Sequence, residues 1–249
     1  MPGTLYLIPN TLGQQAEAVD PLAHIIPAQV QRITAQLDYF IAENAKTTRA
    51  FLKLVNAQIP LAKPLQEIRI AELDVNTQAA VLPALLEPLL AGQDAGLISE
   101  AGVPAVADPG ANLVRLAHAR GIRVQPLVGP SSLLLAVMAS GLSGQNFAFN
   151  GYLPIDATAR TKRIRQLEER SRTEKQTQFF IETPYRNAGM LEALIDACRP
   201  DTLISIATDL TLPSETIRTQ SAAQWKKQLA TGGMPDFHKK PTVFLLLAE

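Results

Sequence analysis

Leu97-Ile98-Ser99-Glu100-Ala101-Gly102-Val103-Pro104-Ala105-Val106-Ala107-Asp108-Pro109-Gly110 is the stretch from which the rest of the chain is read. The apolar run Ala95 to Ile98 has the composition of a buried strand, turns polar at Ser99 and Glu100, and gives way to a helical pattern at Ala111. A strand that empties into a loop before a helix is the repeating unit of an open α/β sheet, whose ligands sit beyond the carboxyl ends of the strands. Gly102 and Gly110 tolerate close approach, Pro104 and Pro109 stiffen the loop, and Glu100 and Asp108 add two carboxylates. Two readings stay open: a ligand-binding loop, or a plain connection in which Asp108 caps the next helix and Glu100 faces water.

The same device recurs on either side. Thr4 to Ile8 reads as a first strand broken by Pro9, Asn10 and Gly13, and Pro21 to Ala35 as a broken helical region. Asp38 to Ala42 reads as a second strand, with Glu43, Asn44 and Lys46 past its end and Thr47 as the cap of a helix through Val55. Leu65 to Ile70 is a weak third strand, and Thr77 to Leu90 an apolar helical stretch that Pro83 and Pro88 divide or kink. A helix from Ala111 to Arg120 stops at Gly121, and Ile122 to Val128 is the next strand. Gly129-Pro130-Ser131-Ser132 then turns the chain, with Ser131 or Ser132 as cap of a helix Leu133 to Ala139. This alternation predicts a parallel sheet with right-handed crossovers over residues 1–128.

Residues 129–249 are patterned differently and predict an α+β domain with a mixed sheet. Phe147 to Tyr152, Gln178 to Glu182, Thr202 to Ala207 and Val243 to Ala248 read as strands, with a loop at Thr208 and Asp209 and a polar segment around Trp225. A helix runs through Cys198, and a charged one spans Thr158 to Lys175. The charged helix carries seven cations and three acids, Glu168, Glu169 and Glu174, a local excess of four positive charges. That surface is either a solvated face or a grip for a polyanion.

Composition narrows the classes. The chain has 249 residues, 47% of them hydrophobic, and 23 basic residues balance 23 acidic ones, so any nucleic-acid contact has to be local. The first apolar run ends at Pro9 and has no basic residue before it, unlike a signal peptide, and no stretch reaches the roughly 20 apolar residues of a membrane span. A lone Cys198 excludes an internal disulfide and reads as inert core. The expected setting is the cytoplasm, without a membrane. Gly-x-Gly-x-x-Gly and Gly-x-x-x-x-Gly-Lys-Ser/Thr are both missing, and His24, His118 and His238 are scattered, so neither a phosphate cradle nor a metal site is expected.

Taken as a set, Gly3-Thr4-Leu5-Tyr6, Ser99 to Gly110, Gly129-Pro130-Ser131, Ser140-Gly141-Leu142, Phe149 to Pro154 and Ile181 to Arg186 resemble the tetrapyrrole-methylase superfamily. The branch they are most similar to is the bacterial small-subunit ribosomal RNA cytidine-2'-O-methyltransferases. The resemblance implies a two-domain α/β homodimer that holds S-adenosylmethionine in the cleft between its domains. It carries cofactor contacts to Pro9, to Ser99, Glu100, Ala101 and Gly102, to Val106 and Ala107, and to Ser131 and Ser132, with second-domain contacts near Phe180 and Ala207. Such a cofactor is cationic at sulfur and has no phosphate, which agrees with the missing phosphate motifs.

If a ribose hydroxyl is the acceptor, a base must help remove its proton, and Glu43 is the first candidate, Glu100 the second. Glu43 could instead be an ion-pair partner of Lys46 or Arg49. RNA, as ribosomal RNA or the small subunit, would lie on Arg160, Lys162, Arg163 and Arg165. The rRNA branch has Glu-Asp-Thr-Arg where this chain has Glu43-Asn44-Ala45-Lys46, and Ser-Asp-Ala-Gly-Thr-Pro where it has Ser99 to Pro104. These departures keep two alternatives in view: a methyltransferase for a small molecule such as a tetrapyrrole, and a non-catalytic cofactor-binding homologue.

Overall fold

The computed structural model describes residues 1–13 and 22–248. It forms two compact units, Met1–Ser131 and Ser132–Glu249, which places Gly129, Pro130 and Ser131 with the first unit.

The first unit is a parallel sheet in the order β3-β2-β4-β1-β5. Its strands are β1 (Thr4–Ile8), β2 (Tyr39–Ala42), β3 (Arg69–Glu72), β4 (Ala95–Ile98) and β5 (Arg123–Pro126). All four residues of β4 are buried, as a central strand covered on both faces requires. Alternation along the strands feeds two cores. Leu5, Tyr39, Ile41 and Leu97 pack with Leu86 and Leu89 of α3 (Leu82–Leu90) and Leu113 of α4 (Ala111–Ala119). Ile8, Phe40, Ala42 and Ile98 pack with Val30 of α1 (Ala28–Gln36) and Phe51, Leu52 and Val55 of α2 (Ala45–Gln58).

The helices after β1 and β2 therefore cover one face, and the helix after β4 covers the other. The carboxyl end of β4 is flanked by two strands whose chains leave in the opposite sense, which is the topological switch point where open sheets gather ligands.

Several boundaries differ from those expected. Asn44 rather than Thr47 caps α2, accepting from the N–H groups of Lys46 and Thr47, so the helix starts three residues earlier. The third strand begins at Arg69, after a 3-10 turn at Leu65–Glu67. Pro83 stands in the first turn of α3, where its missing N–H costs nothing, and only Pro88 lies inside that helix. The expected helical region from Pro21 begins outside the described residues, and the helix described within it is α1.

The second unit holds a mixed sheet in the order β6-β7-β10-β8-β9. Its strands are β6 (Phe147–Tyr152), β7 (Thr177–Glu182), β8 (Leu203–Thr208), β9 (Thr216–Ser221) and β10 (Thr242–Leu247). Only β6 and β7 pair in parallel; β10 is antiparallel to β7 and β8, and β9 to β8. Phe180, Ile204, Ile206, Phe244 and Leu246 form a core with α6 (Ala157–Glu174), α7 (Asn187–Ala197) and α8 (Ala222–Ala230). Helix α5 (Ser132–Ser140) lies against β8, β9 and β10 and gives no buried residue to that core.

The segment expected to be merely polar around Trp225 is β9 followed by α8. Its edge-strand sequence Thr-Ile-Arg-Thr-Gln-Ser hides the strand, and a Ser221–Gln224 capping box starts the helix. Trp225 is buried, and its indole N–H donates to the Ile204 carbonyl at 2.9 Å. Burial pushes the Cys198 thiol up to about 12, so it stays protonated and inert.

Candidate active site

The loop after β4 is laced to the loop after β1. Asn10, only 5% exposed, donates from Nδ2 to the carbonyls of Ser99 at 3.1 Å and Glu100 at 3.0 Å. Its backbone N–H donates to the Gly102 carbonyl at 2.8 Å, and the Gly102 N–H reaches Thr11 O at 3.4 Å. Gly102 has φ +67°, and a Cβ there would stand 3.1 Å from a Leu12 methyl and 3.4 Å from the Pro130 carbonyl oxygen. Three loops of the first unit thus close on one glycine.

Gly129 has the same necessity for another reason: an added Cβ would lie 2.2 Å from Cβ and 2.3 Å from Cγ of Pro9. The loop also holds two residues, Ala105 and Ala107, in the left-handed region at φ 65° and 63°. Their small side chains leave backbone groups open to a ligand.

Three carboxylates gather at this end of the sheet. Oε2 of Glu43 accepts the Glu100 N–H at 3.1 Å, and the Glu43 N–H donates to Ile98 O at 3.2 Å, so Glu43 ties the ends of β2 and β4 together. Among the described residues neither Lys46 nor Arg49 pairs with Glu43, which corrects the ion-pair alternative. Asp108 does not cap α4: the cap position is Gly110, without a side-chain bond. The Asp108 carboxyl is instead pushed up to about 6, first by burial and then by the charge of Glu43, while a hydrogen bond from Ser99 works the other way. None of the three acids is in an ion pair among the described residues.

The residues expected to touch cofactor fall in distinct settings. Pro9, Ser99 and Gly102 are buried, while Glu100, Ala101, Val106 and Ala107 are exposed along the same loop. Ser131 closes the first unit and Ser132 opens α5. Phe180 is stacked on Phe244 within the second unit's core, with ring centres 5.9 Å apart, so any contact it makes with a ligand is through its backbone. Ala207 is buried in β8. Asn10 was missed by sequence reasoning: a turn-forming Asn after Pro was visible, but not partners some ninety residues away.

The four cations expected to meet RNA separate into two kinds. Arg160 donates to Ile155 O at 3.0 Å. Arg163 heads a chain of side-chain amides: it donates to Asn150 Oδ1 at 3.1 Å, Asn150 to Gln178 at 3.1 Å, and Gln178 to Gln176 at 2.7 Å. Gln176 donates to Asn146 at 2.7 Å, and Asn146 to the backbone oxygen of Glu174 at 2.8 Å. Lys162 and Arg165, in contrast, line an open groove along α6 with Thr158, Thr161, Gln166 and Glu169. In the last turns of α6 the charges cancel: Arg170 pairs with Glu174, Arg172 with Glu169, and buried Glu168 accepts from the Arg199 N–H and the Thr202 hydroxyl. The positive excess is therefore concentrated in the first half of the helix.

Among the described residues no helix is long and apolar enough to cross a membrane, and no cluster of His, Cys, Asp and Glu is arranged to hold a metal ion.

Comparison with known proteins agrees with this architecture. "Ribosomal RNA small subunit methyltransferase I" of Xylella fastidiosa (strain Temecula1) is 31% identical over 248 residues, covering 100% of this chain and 82% of that protein. The protein of the same name from Vibrio cholerae is 28% identical over 243 residues, covering 98% of this chain and 76% of its own length. The crystal structure of the methyltransferase CobJ superposes with a TM-score of 0.61 at 18% identity, covering 99% of this chain and 94% of that one. The cobalt precorrin-4 methyltransferase CbiF superposes at 0.57 and 15% identity, over 98% and 94% of the two chains. These two likenesses speak for the fold. The sequence profile of the Tetrapyrrole (Corrin/Porphyrin) Methylases matches residues 24–225, and together with the Xylella relative it establishes that the chain belongs to the tetrapyrrole methylase family of methyltransferases.

Proposed function

We propose that this protein transfers a methyl group from S-adenosylmethionine to a ribose 2'-hydroxyl of small-subunit ribosomal RNA. The observation that carries the reading is the laced loop at the β4 end, a backbone-lined turn with three unpaired carboxylates where a cationic cofactor without phosphate fits. The names of the relatives supply the acceptor class.

When bound, S-adenosylmethionine supplies an electrophilic methyl on a positively charged sulfur, and the acceptor oxygen takes it as the carbon–sulfur bond breaks. The chain's own part is positioning and charge. Gly102, Ala101 and the Val106–Ala107 turn present backbone groups to the cofactor, with Pro9 and Ser131 beside them, and Ser132, Phe180 and Ala207 are the contacts assigned to the second unit. Glu43, Glu100 and Asp108 favour a cation at this end of the sheet. Glu43 is assigned to the acceptor's proton, because its Oε1 has no hydrogen bond among the described residues while Oε2 is held by Glu100 N–H. Glu100, exposed beside it, is the second candidate. Lys162 and Arg165 would meet RNA phosphate directly, and Arg160 and Arg163 would act from more fixed positions.

The reading includes a cytoplasmic setting and a homodimer. Support for the dimer comes from apolar side chains turned outward in the second unit, Met138 at 77% and Ile155 at 73% exposure. The test is transfer of labelled methyl from S-adenosylmethionine into small subunits from cells lacking this enzyme, with the modified nucleotide mapped. Label in a base, in a small molecule only, or nowhere would refute the assignment.

A further inference from the structure

The charge on α2 is of one sign only. From Ala45 to Gln66 the chain contains Lys46, Arg49, Lys53 and Lys63 and no acidic residue, although the whole protein is balanced at 23 of each sign. Lys63 is taken up by Asp38 and lies beyond the helix. Lys46, Arg49 and Lys53 are all exposed, and among the described residues none has an ion-pair or side-chain hydrogen-bond partner.

Helical spacing puts the three within a narrow arc along about 10 Å of axis. The same arc carries exposed Ala50 and Ala57 with Asn56 at its margin, so nothing bulky or acidic interrupts it. The acids nearest its start are accounted for: Glu72 accepts the Ala45 N–H at 3.2 Å, and Glu43 holds Glu100 N–H. Helix α6 shows what a solvated face looks like in this protein, with Arg170–Glu174 and Arg172–Glu169 cancelling turn by turn. Helix α2 has no such cancellation. Its cap, Asn44, directly follows Glu43 in the chain, so the stripe begins at the candidate active site and leads away from it.

We infer that Lys46, Arg49 and Lys53 form a docking track for the phosphates of single-stranded RNA running out of the active site. The inference rests on the RNA reading above and adds a second contact surface, in the first unit, to the one on α6. A single strand fits because the acceptor ribose has to reach a loop at a sheet end, and flexible strands can be splayed to do so. Compact ammonium and guanidinium groups along one helix face match successive phosphates without reading sequence.

The test uses full-length protein and a fluorescein-labelled oligouridine of about 20 nucleotides, with affinity followed by anisotropy across a KCl series. The variant is Arg49→Gln with Lys53→Gln, which leaves Glu43 and the loop untouched. Losing two phosphate contacts should flatten the slope of log affinity against log salt by about 1.4 and weaken binding roughly 20-fold near 0.1 M KCl. Arg49→Lys with Lys53→Arg should restore both. Unchanged melting and unchanged calorimetric affinity for S-adenosylmethionine show that fold and cofactor site are intact. A wild-type slope in the double Gln variant, with loss in Lys162→Gln/Arg165→Gln, overturns the track and keeps the RNA reading. Wild-type protein that binds S-adenosylmethionine but no RNA at low salt overturns both.

Discussion

Replacing Asp108 by Asn should stabilise the protein at neutral pH and leave it nearly unchanged near the unfolded carboxyl value of 3.8. The carboxyl is raised from 3.8 to about 6 by burial and by Glu43, so the folded state holds its proton more tightly than the unfolded chain does. For a raised group the favourable contribution is complete below the unfolded value and is lost as pH climbs through the folded one. The window is therefore pH 3.8 to about 6. That gap converts to a ceiling of about 3 kcal/mol, and because Asp108 is only half buried, solvent screening leaves about 1 kcal/mol. For a chain of this length the gain corresponds to a rise in Tm of roughly 3 °C at about pH 7.5. Asn keeps an acceptor for Ser99 and removes only the charge. Melting curves of wild type and Asp108→Asn across this window test the reasoning. A difference that does not depend on pH, or a variant less stable at neutral pH, would show that the carboxylate is not the strained group.

Four further outcomes follow from the site. Asp108, with Glu43 and Glu100 near it, should make affinity for cationic S-adenosylmethionine rise with pH toward 7 more steeply than affinity for its uncharged-sulfur product; parallel calorimetric pH profiles would contradict this. Glu43→Gln retains an acceptor for the Glu100 N–H but no longer takes a proton, so turnover should fall about 100-fold, far more than cofactor affinity, which loses one of three nearby negative charges; undiminished turnover removes Glu43 from the chemistry. Asn10→Ala breaks two hydrogen bonds to loop carbonyls, a loss of about 2 kcal/mol seen in denaturant unfolding together with weaker cofactor binding. Gly129→Ala drives a methyl into the Pro9 ring and should destabilise by about 1–3 kcal/mol, and a wild-type Tm would mean that the loops part easily.

The parallel sheet was legible because its strands are apolar runs that end at Pro9, Glu43, Ser99 and Gly129, and turn chemistry is local. The polar strand β9 was not, since an edge strand needs few apolar residues. The loop at Ser99 to Gly110 declared itself by composition. What holds it did not: Asn10 finds its carbonyls, and Glu43 its N–H, only through pairing of strands far apart in sequence. The burial that lifts Asp108 is likewise a property of packing, and the motif alone left open whether Asp108 served a ligand loop or capped the next helix. On α6 the count of charges was readable, but only tertiary contacts distinguish Arg163, committed to Asn150, from Lys162 and Arg165.

The amide chain headed by Arg163 has a direction. A guanidinium can only donate, and the backbone oxygen of Glu174 at the far end can only accept, so the two ends cannot exchange roles. Asn150, Gln178, Gln176 and Asn146 between them have a single arrangement in which every oxygen faces a donor and every nitrogen an acceptor. Both ends of the chain belong to α6, and its middle belongs to β6, β7 and the turns that flank them. The dipoles consequently run as a closed, one-way circuit through the sheet edge and back to the helix. A helix displaced by one residue would break the circuit at both ends at once, so the row of amides acts as a key that admits α6 in only one register.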